Sequence, residues 1–241
     1  MNIIDSIKTS ILTPIHPAGI PFIALFFILS VIIGWLWSPL YFIGIILTVW
    51  CIYFFRNPPR VTPVLSGSNV NNLIISPADG RVIEISEITP AEEIGLPEGK
   101  WKRVCIFMNV FDVHVNRSPM LGQITYKKYV PGSFLNASLD KASDDNERLI
   151  INMDTENGKK IAFVQIAGLV ARRIICDVDI GKSLKAGEIF GLIRFGSRVD
   201  IYFPSDVSVM ILKGQKMIAG ETIIGDFSKN AKPVKETLNE K

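Results

Sequence analysis

The sequence predicts a mainly β protein of the α+β class, an N-terminal hydrophobic helical hairpin followed by a barrel-sandwich-like β domain. Three observations carry this reading. Residues 20–55 are almost wholly apolar and hold no Asp, Glu, Lys or Arg. From Leu73 onward the chain changes to short runs that alternate apolar and polar residues, the two-residue period of strands. Breaks containing glycine recur between those runs, at Asp79-Gly80, Asn157-Gly158, Lys213-Gly214 and Ala219-Gly220, and punctuate them as turns do.

Residues 1–19 form a leader. Ile3, Ile4, Ile7 and Ile11 fall on one helical face that ends at Pro14 and Pro17, as in a short helix lying on a membrane surface. His16 sits between prolines and reads as a loop residue. Residues 20–57 form the hairpin. Ile20 to Trp37 is one apolar run, Ser38-Pro39 breaks it, and Leu40 to Phe55 is a second. The runs measure roughly 27 and 24 Å as helices, slightly less than a hydrocarbon core of about 30 Å, so the hairpin spans a thin bilayer or inserts part-way. Trp35, Trp37 and Tyr41 cluster at the break, and Trp50 and Tyr53 near the exit, where interfacial anchors sit. Lys8, Arg56 and Arg60 all lie on the other side, which places both ends in the cytoplasm. A cleaved signal peptide fits less well, because a second apolar run follows with no small-residue cleavage site between them.

Residues 58–72, rich in Pro, Ser, Gly and Asn, form a linker. The β domain covers 73–228, with strand-like runs such as Arg81–Ile88, Val113–Val115, Gln123–Val130, Lys160–Ala167, Val199–Phe203 and Val207–Leu212. Phe134 to Arg148 lacks alternation and is expected to hold one helix. Residues 229–241 are a charged tail that frays.

Composition narrows the function classes. Hydrophobic residues make up 48% of the 241 and the mean hydropathy is +0.31, an excess concentrated in the hairpin. A net charge of +3 is too mild and too dispersed for nucleic acid, and suits work beside anionic membrane lipid. Cys51, Cys105 and Cys176 are far apart, with no CxxC pair, as inert thiols in a reducing compartment are. His16 and His114 are the only histidines, so no zinc-type cluster and no other metal site is expected.

Three motifs bear chemistry. Leu192 to Pro204 alternates on both sides of Gly196-Ser197, which on pattern alone is a β-bulge or tight turn. Ser76-Pro77-Ala78-Asp79-Gly80 is a turn signal with Asp79 as its capping carboxylate. Phe111 to Pro119 carries His114, the one histidine beyond the hairpin, and an imidazole is the side chain suited to act as a base near neutral pH. Lys185-Ala186-Gly187-Glu188 and Met217-Ile218-Ala219-Gly220-Glu221 repeat a turn leading into an apolar strand. With the Asp79 turn they resemble the sandwich-like barrels of lipoyl and biotinyl carriers.

Phe195-Gly196-Ser197 followed by an apolar strand, late in a chain with a membrane hairpin, resembles the self-cleavage site of phosphatidylserine decarboxylase proenzymes, in their short bacterial form. Pro77-Ala78-Asp79-Gly80 is similar to the family's Pro-x-Asp-Gly motif, and Asp112 to Pro119 to its Asp-x-His-x-x-x-x-Pro motif. Longer members carry a second histidine where this chain has Arg117. The resemblance implies that Ser197 attacks the Gly196 carbonyl, that His114 is the base, and that Asp79 orients and polarises it. It implies a covalent pyruvoyl group made from Ser197, whose ketone forms a Schiff base with phosphatidylserine and releases carbon dioxide and phosphatidylethanolamine. A large chain with the anchor, Asp79 and His114 and a small chain starting at Ser197 then stay together, on the cytoplasmic side of the cell membrane. A homo-oligomer is compatible with this. Arg117, Lys141, Arg172, Arg173 and Arg198 are candidates for the lipid headgroup. Asn146-Glu147-Arg148 resembles a further family motif. The alternative is a membrane-tethered biotinyl- or lipoyl-like binding or adaptor module without catalysis, but no Met-Lys-Met tip is present to carry a prosthetic group. A serine hydrolase would need a Gly-x-Ser-x-Gly elbow, which is absent.

Overall fold

The computed structural model describes residues 13–63, 72–138, 145–169, 173–194, 196–228 and 234. The leader helix expected at Ile3–Ile11, most of the linker, the middle of the helix expected within Phe134–Arg148, and nearly all of the tail lie outside the described residues. Two compact units result. One takes the N-terminal residues up to Pro59 together with Phe111–Val115, and the other takes Arg60–Val110 and the chain from Asn116 onward.

The first unit is the hairpin. A 3-10 turn at Pro17–Gly19 leads into helix α1 (Ile20–Leu36), and helix α2 (Ser38–Phe54) follows. Trp37 is extended and makes the break, and a proline occupies the first turn of each helix, where its missing N–H costs no hydrogen bond. A Cβ at Gly44 would stand 2.1 Å from Ser30 Cβ, so glycine there lets the two helices approach closely. Phe27, Ile32, Trp35, Phe42 and Ile46 are all exposed. A continuous apolar exterior of this kind suits lipid rather than water. Pro17–Leu36 is 20 residues of mean hydropathy 2.5, long and apolar enough to cross a membrane, and Ser38–Phe54 is apolar but shorter. At the open end Asn57 N–H donates to the Pro14 carbonyl (2.6 Å) and His16 N–H to that of Phe55 (2.8 Å). His16 also accepts from Ala18 N–H at Nδ1, the turn-capping role of a loop residue.

The second unit is β. Among the described residues the largest sheet has eight strands. In spatial order they are β13 (Lys216–Met217), β2 (Gly80–Ile88), β3 (Trp101–Met108), β11 (Ser197–Pro204), β7 (Lys160–Ala167), β6 (Arg148–Thr155), β5 (Gly122–Val130) and β9 (Ser183–Leu184). Two three-stranded sheets accompany it among the described residues. One is β1 (Leu73–Ile75), β14 (Ile223–Asp226) and β12 (Ser208–Val209), and the other β4 (Val115–Arg117), β10 (Ile189–Ile193) and β8 (Ile174–Cys176). The expected mainly β fold behind a helical hairpin is what the chain adopts. The two repeated turns have matching jobs. Ala219 and Gly220 bond back to the Asp79 turn, and Gly187 and Glu188 to Ser118.

Strand β11 lies between β3 and β7 and is buried over Ser197–Phe203. Alternation sends Val199, Ile201 and Phe203 into the main core with Val104, Ile106 and Phe163, while Tyr202 joins a second cluster with Trp101, Ala162 and Val164. Each such apolar side chain contributes about 1.5–3 kcal/mol on burial, so the strand that begins at Ser197 is among the most firmly held in the unit. The strand expected at Val113–Val115 starts at Val115 instead, and that expected at Val207–Leu212 shrinks to two residues.

Candidate active site

The Gly196-Ser197 bond sits where a bend meets this central strand. Gly196 has φ +68°, the left-handed region that glycine enters without strain. A Cβ on Gly168 would lie 2.2 Å from the Gly196 carbonyl oxygen, so the electrophilic carbonyl rests directly on a second glycine. Ser197 is fully buried, opposite Met108 on β3 and Ala167 on β7. Its Oγ faces Met108 Sδ at 4.0 Å, a weak acceptor that leaves the hydroxyl lone pairs uncommitted.

On the same face lies a buried pair of amides that the sequence did not single out. Gln165, opposite Val199 on β7, donates from Nε2 to Asn116 Oδ1 at 2.8 Å. Asn116 Nδ2 in turn points at Met108 Sδ (3.7 Å). Gln165 Oε1 is buried without a hydrogen-bond donor. Buried amides of this kind are rare in a core unless they serve each other or a bound group.

Arg198 corrects one expectation. It was a candidate for the headgroup, but strand alternation turns it to the opposite face from Ser197, where it is fully buried. Its guanidinium is bidentate on Asp200, at 2.5 and 2.9 Å. Burial works against its charge, but Asp200 outweighs that and raises its pKa further above the usual arginine range. Cys105 lies beside it, 2.7 Å from Nη2. Burial first and Asp200 second push that thiol up, in keeping with an unreactive cysteine.

Asp79 occupies the turn before β2 and is 8% exposed. Both its oxygens accept from Arg60 Nη2, at 2.9 and 2.8 Å, and Oδ1 also accepts from Ala219 N–H (2.8 Å). Ser76 Oγ donates to the Ala78 carbonyl and locks the turn. A Cβ at Gly80 would strike the Phe107 carbonyl at 2.2 Å, and φ is +134° there. Arg60 read as a cation at the membrane exit in sequence, and its partnership with Asp79 is added by the fold.

His114 belongs to the hairpin unit. It is fully buried, and its ring packs on Phe54 of α2 at 4.2 Å between centroids. Arg56 Nη2 donates to the Phe111 carbonyl of the same segment (2.8 Å). His114 Nδ1 is 3.0 Å from the Asp112 carbonyl. A carbonyl only accepts, so Nδ1 carries the proton and Nε2 the lone pair. Burial pushes the imidazole down to about 4, with the positive Arg56 acting in the same direction against the Asp112 bond. Between pH 6.5 and 4 the unfolded chain therefore binds a proton that the folded chain refuses. The stabilisation is complete above the unfolded pKa of about 6.5 and is lost as pH falls toward 4, up to roughly 3 kcal/mol. Denaturant titrations at pH 7.5 and 5 are expected to show this loss, and His114→Phe to flatten it.

Of the other headgroup candidates, Arg117 is half-buried and donates to the Gly187 carbonyl at 3.0 Å, and Arg173 is exposed. Lys141 and Arg172 lie outside the described residues. Ser197 and Asp79 thus stand in the β unit and His114 in the hairpin unit. The model of the phosphatidylserine decarboxylase family matches residues 47–225, a span that takes in the second half of α2, Asp79, His114 and the whole of β11. With most of its length matched, the chain belongs to the phosphatidylserine decarboxylase family, whose reaction is the decarboxylation of phosphatidylserine.

Proposed function

We propose that the chain is a membrane-bound proenzyme that parts between Gly196 and Ser197 and then decarboxylates phosphatidylserine with a pyruvoyl group left on Ser197. One observation carries the reading. In a member of this family, a buried serine with an uncommitted hydroxyl follows a left-handed glycine whose carbonyl is packed against Gly168. The residues fit the group, because it is made from the serine itself and the bend leaves the Gly196 carbonyl uncrowded by side chain.

The steps use the chain's own atoms. Ser197 Oγ bonds to the Gly196 carbonyl carbon, the peptide C–N bond breaks, and the hydroxyl proton ends on the released amine. Loss of the Ser197 α-proton with cleavage of its Cβ–O bond frees the Gly196 carboxylate. Water then replaces the nitrogen of the resulting dehydroalanine, releasing ammonia. His114 is the proposed base. Its Nε2 is unprotonated at neutral pH, at the cost of being a weaker base than an ordinary imidazole. Asp79 is the proposed orienting carboxylate. Asp79→Asn should stall the cut, and cutting at the wild-type rate would leave Asp79 as a structural residue that holds Arg60 and the Ala219 N–H. The pyruvoyl group, once formed, supplies a carbonyl that condenses with the substrate amine and takes up the electrons released with carbon dioxide.

The hairpin holds the enzyme where a two-chained lipid already is, on the cytoplasmic side according to Arg56 and Arg60. Purified protein in vesicles containing phosphatidylserine should release carbon dioxide and leave phosphatidylethanolamine, and a protein that releases neither overturns the reading.

The bend makes its own prediction. Gly168→Ala must displace the Gly196 carbonyl, because a Cβ 2.2 Å away cannot be accommodated. Appearance of the two fragments on a denaturing gel should slow by ten-fold or more, since a misplacement of about 1 Å can cost on the order of a hundred-fold. Gly196→Ala meets open space and bears only the left-handed backbone cost of about 1–2 kcal/mol, so its fragments should form sooner than those of Gly168→Ala.

A further inference from the structure

We propose that Asn146 is a positioning residue for self-cleavage, a latch that fixes the surface on which the Gly196 carbonyl rests. The inference deepens the proenzyme reading and rests on it. Asn146 is fully buried and all of its side-chain bonds go to backbone. Oδ1 accepts from Leu135 N–H at 2.9 Å, and Nδ2 donates to the carbonyls of Leu135 (2.8 Å) and Ala167 (2.7 Å). The loop it grips lies flush against it. Ser133 N–H donates to the Asp145 carbonyl and Glu147 N–H to that of Ser133. A Cβ on Gly132 would sit 2.5 Å from the Asp145 and Asn146 backbone.

The chain of contact to the scissile bond is short. Ala167 is the residue directly opposite Ser197. Its N–H goes to Glu147 and its carbonyl to Asn146, so both backbone groups point away from β11. In an antiparallel ladder such a residue makes the closer, non-hydrogen-bonded kind of pair with its opposite number. The peptide that Asn146 holds by its carbonyl is the one that leads into Gly168. Gly168 in turn faces the Gly196 carbonyl, and Ala137 of the latched loop borders the same spot, 3.3 Å from where a Gly168 Cβ would stand. Asn146 thus fixes both Gly168 and the loop beside it. Without the amide, the buried Ala167 carbonyl loses its donor, and the part-buried N–H and carbonyl of Leu135 are left to find other partners.

The test compares Asn146→Ala and Asn146→Asp with Asn152→Ala, each as the full-length chain in detergent. Asn152 is an equally buried amide that also donates to backbone carbonyls, those of Ile94 and Gly95, in the second core cluster rather than at the bond. Asn146→Asp keeps the size and the Leu135 acceptor but loses both donors. Thermal midpoints are measured beside the rate at which the two fragments appear. Both Asn146 variants should cut about ten-fold or more slowly, while Asn152→Ala, with a similar fall in midpoint, cuts at the wild-type rate. Wild-type cutting by the Asn146 variants, or equal slowing of Asn152→Ala, overturns the latch. So does failure of both Asn146 variants to fold where Asn152→Ala folds, which would make the side chain structural only. A wild-type chain that never parts would instead sink the proenzyme reading beneath it.

Discussion

Ser197→Ala should leave the 241-residue chain whole on a denaturing gel and reduce decarboxylation of phosphatidylserine to background. The substitution removes a single oxygen, and with it both the nucleophile and the precursor of the reactive carbonyl. It should do so without unfolding the protein. The hydroxyl faces a thioether sulfur at 4.0 Å, so little hydrogen bonding is lost, and burying a methyl instead of a hydroxyl beside Met108 and Ala167 is close to neutral. A thermal midpoint near that of the wild type, together with an uncut chain, separates chemistry from folding. Cleavage at this bond in Ser197→Ala would mean that another group does the cutting.

Next in size comes the buried pair one residue further along. Arg198 and Asp200 are both fully buried on the face of β11 away from Ser197. Removing one partner of such a pair leaves the other's buried charge without its bidentate partner and costs about 3–5 kcal/mol. Arg198→Met and Asp200→Leu are therefore each expected to lower the thermal midpoint by roughly 10 °C. The double change to Arg198→Met with Asp200→Leu should recover much of that loss, because well-packed apolar side chains often replace a buried pair at little cost. The distinctive result is the sign of the coupling. A double variant as unstable as the sum of the two single ones would mean that the pair is not the unit that matters.

The hairpin was legible because charge is absent from residues 20–55 and Ser38-Pro39 divides the apolar run in two. Strand β7 appeared in sequence with the limits it has in the fold, Lys160–Ala167, because its turns carry clear glycine and polar punctuation. Two-residue strands such as β9 and β13 are too short to show any period. Arg198 was misread for a definite reason. A strand buried on both faces carries no polar-outward signal, so a charge on it looks like a surface residue until its partner is seen. The Asp79 turn could be recognised from its residue types, but Arg60 lies 19 residues away across the linker, and no local pattern joins them. His114 was expected on a strand, whereas the fold gives it to the hairpin unit, packed on Phe54. A helix that reads as a membrane anchor therefore also walls the candidate base. Asn146 stood out only as part of a motif, since its role depends on bringing Leu135 and Ala167 together from 11 and 21 residues away.

The mass of the C-terminal polypeptide in the purified wild-type protein bears most directly on all of this. A fragment that begins at residue 197, runs to Lys241 and starts with a pyruvoyl group in place of serine is the expected finding. One unbroken mass, with an unmodified serine at 197, would contradict it.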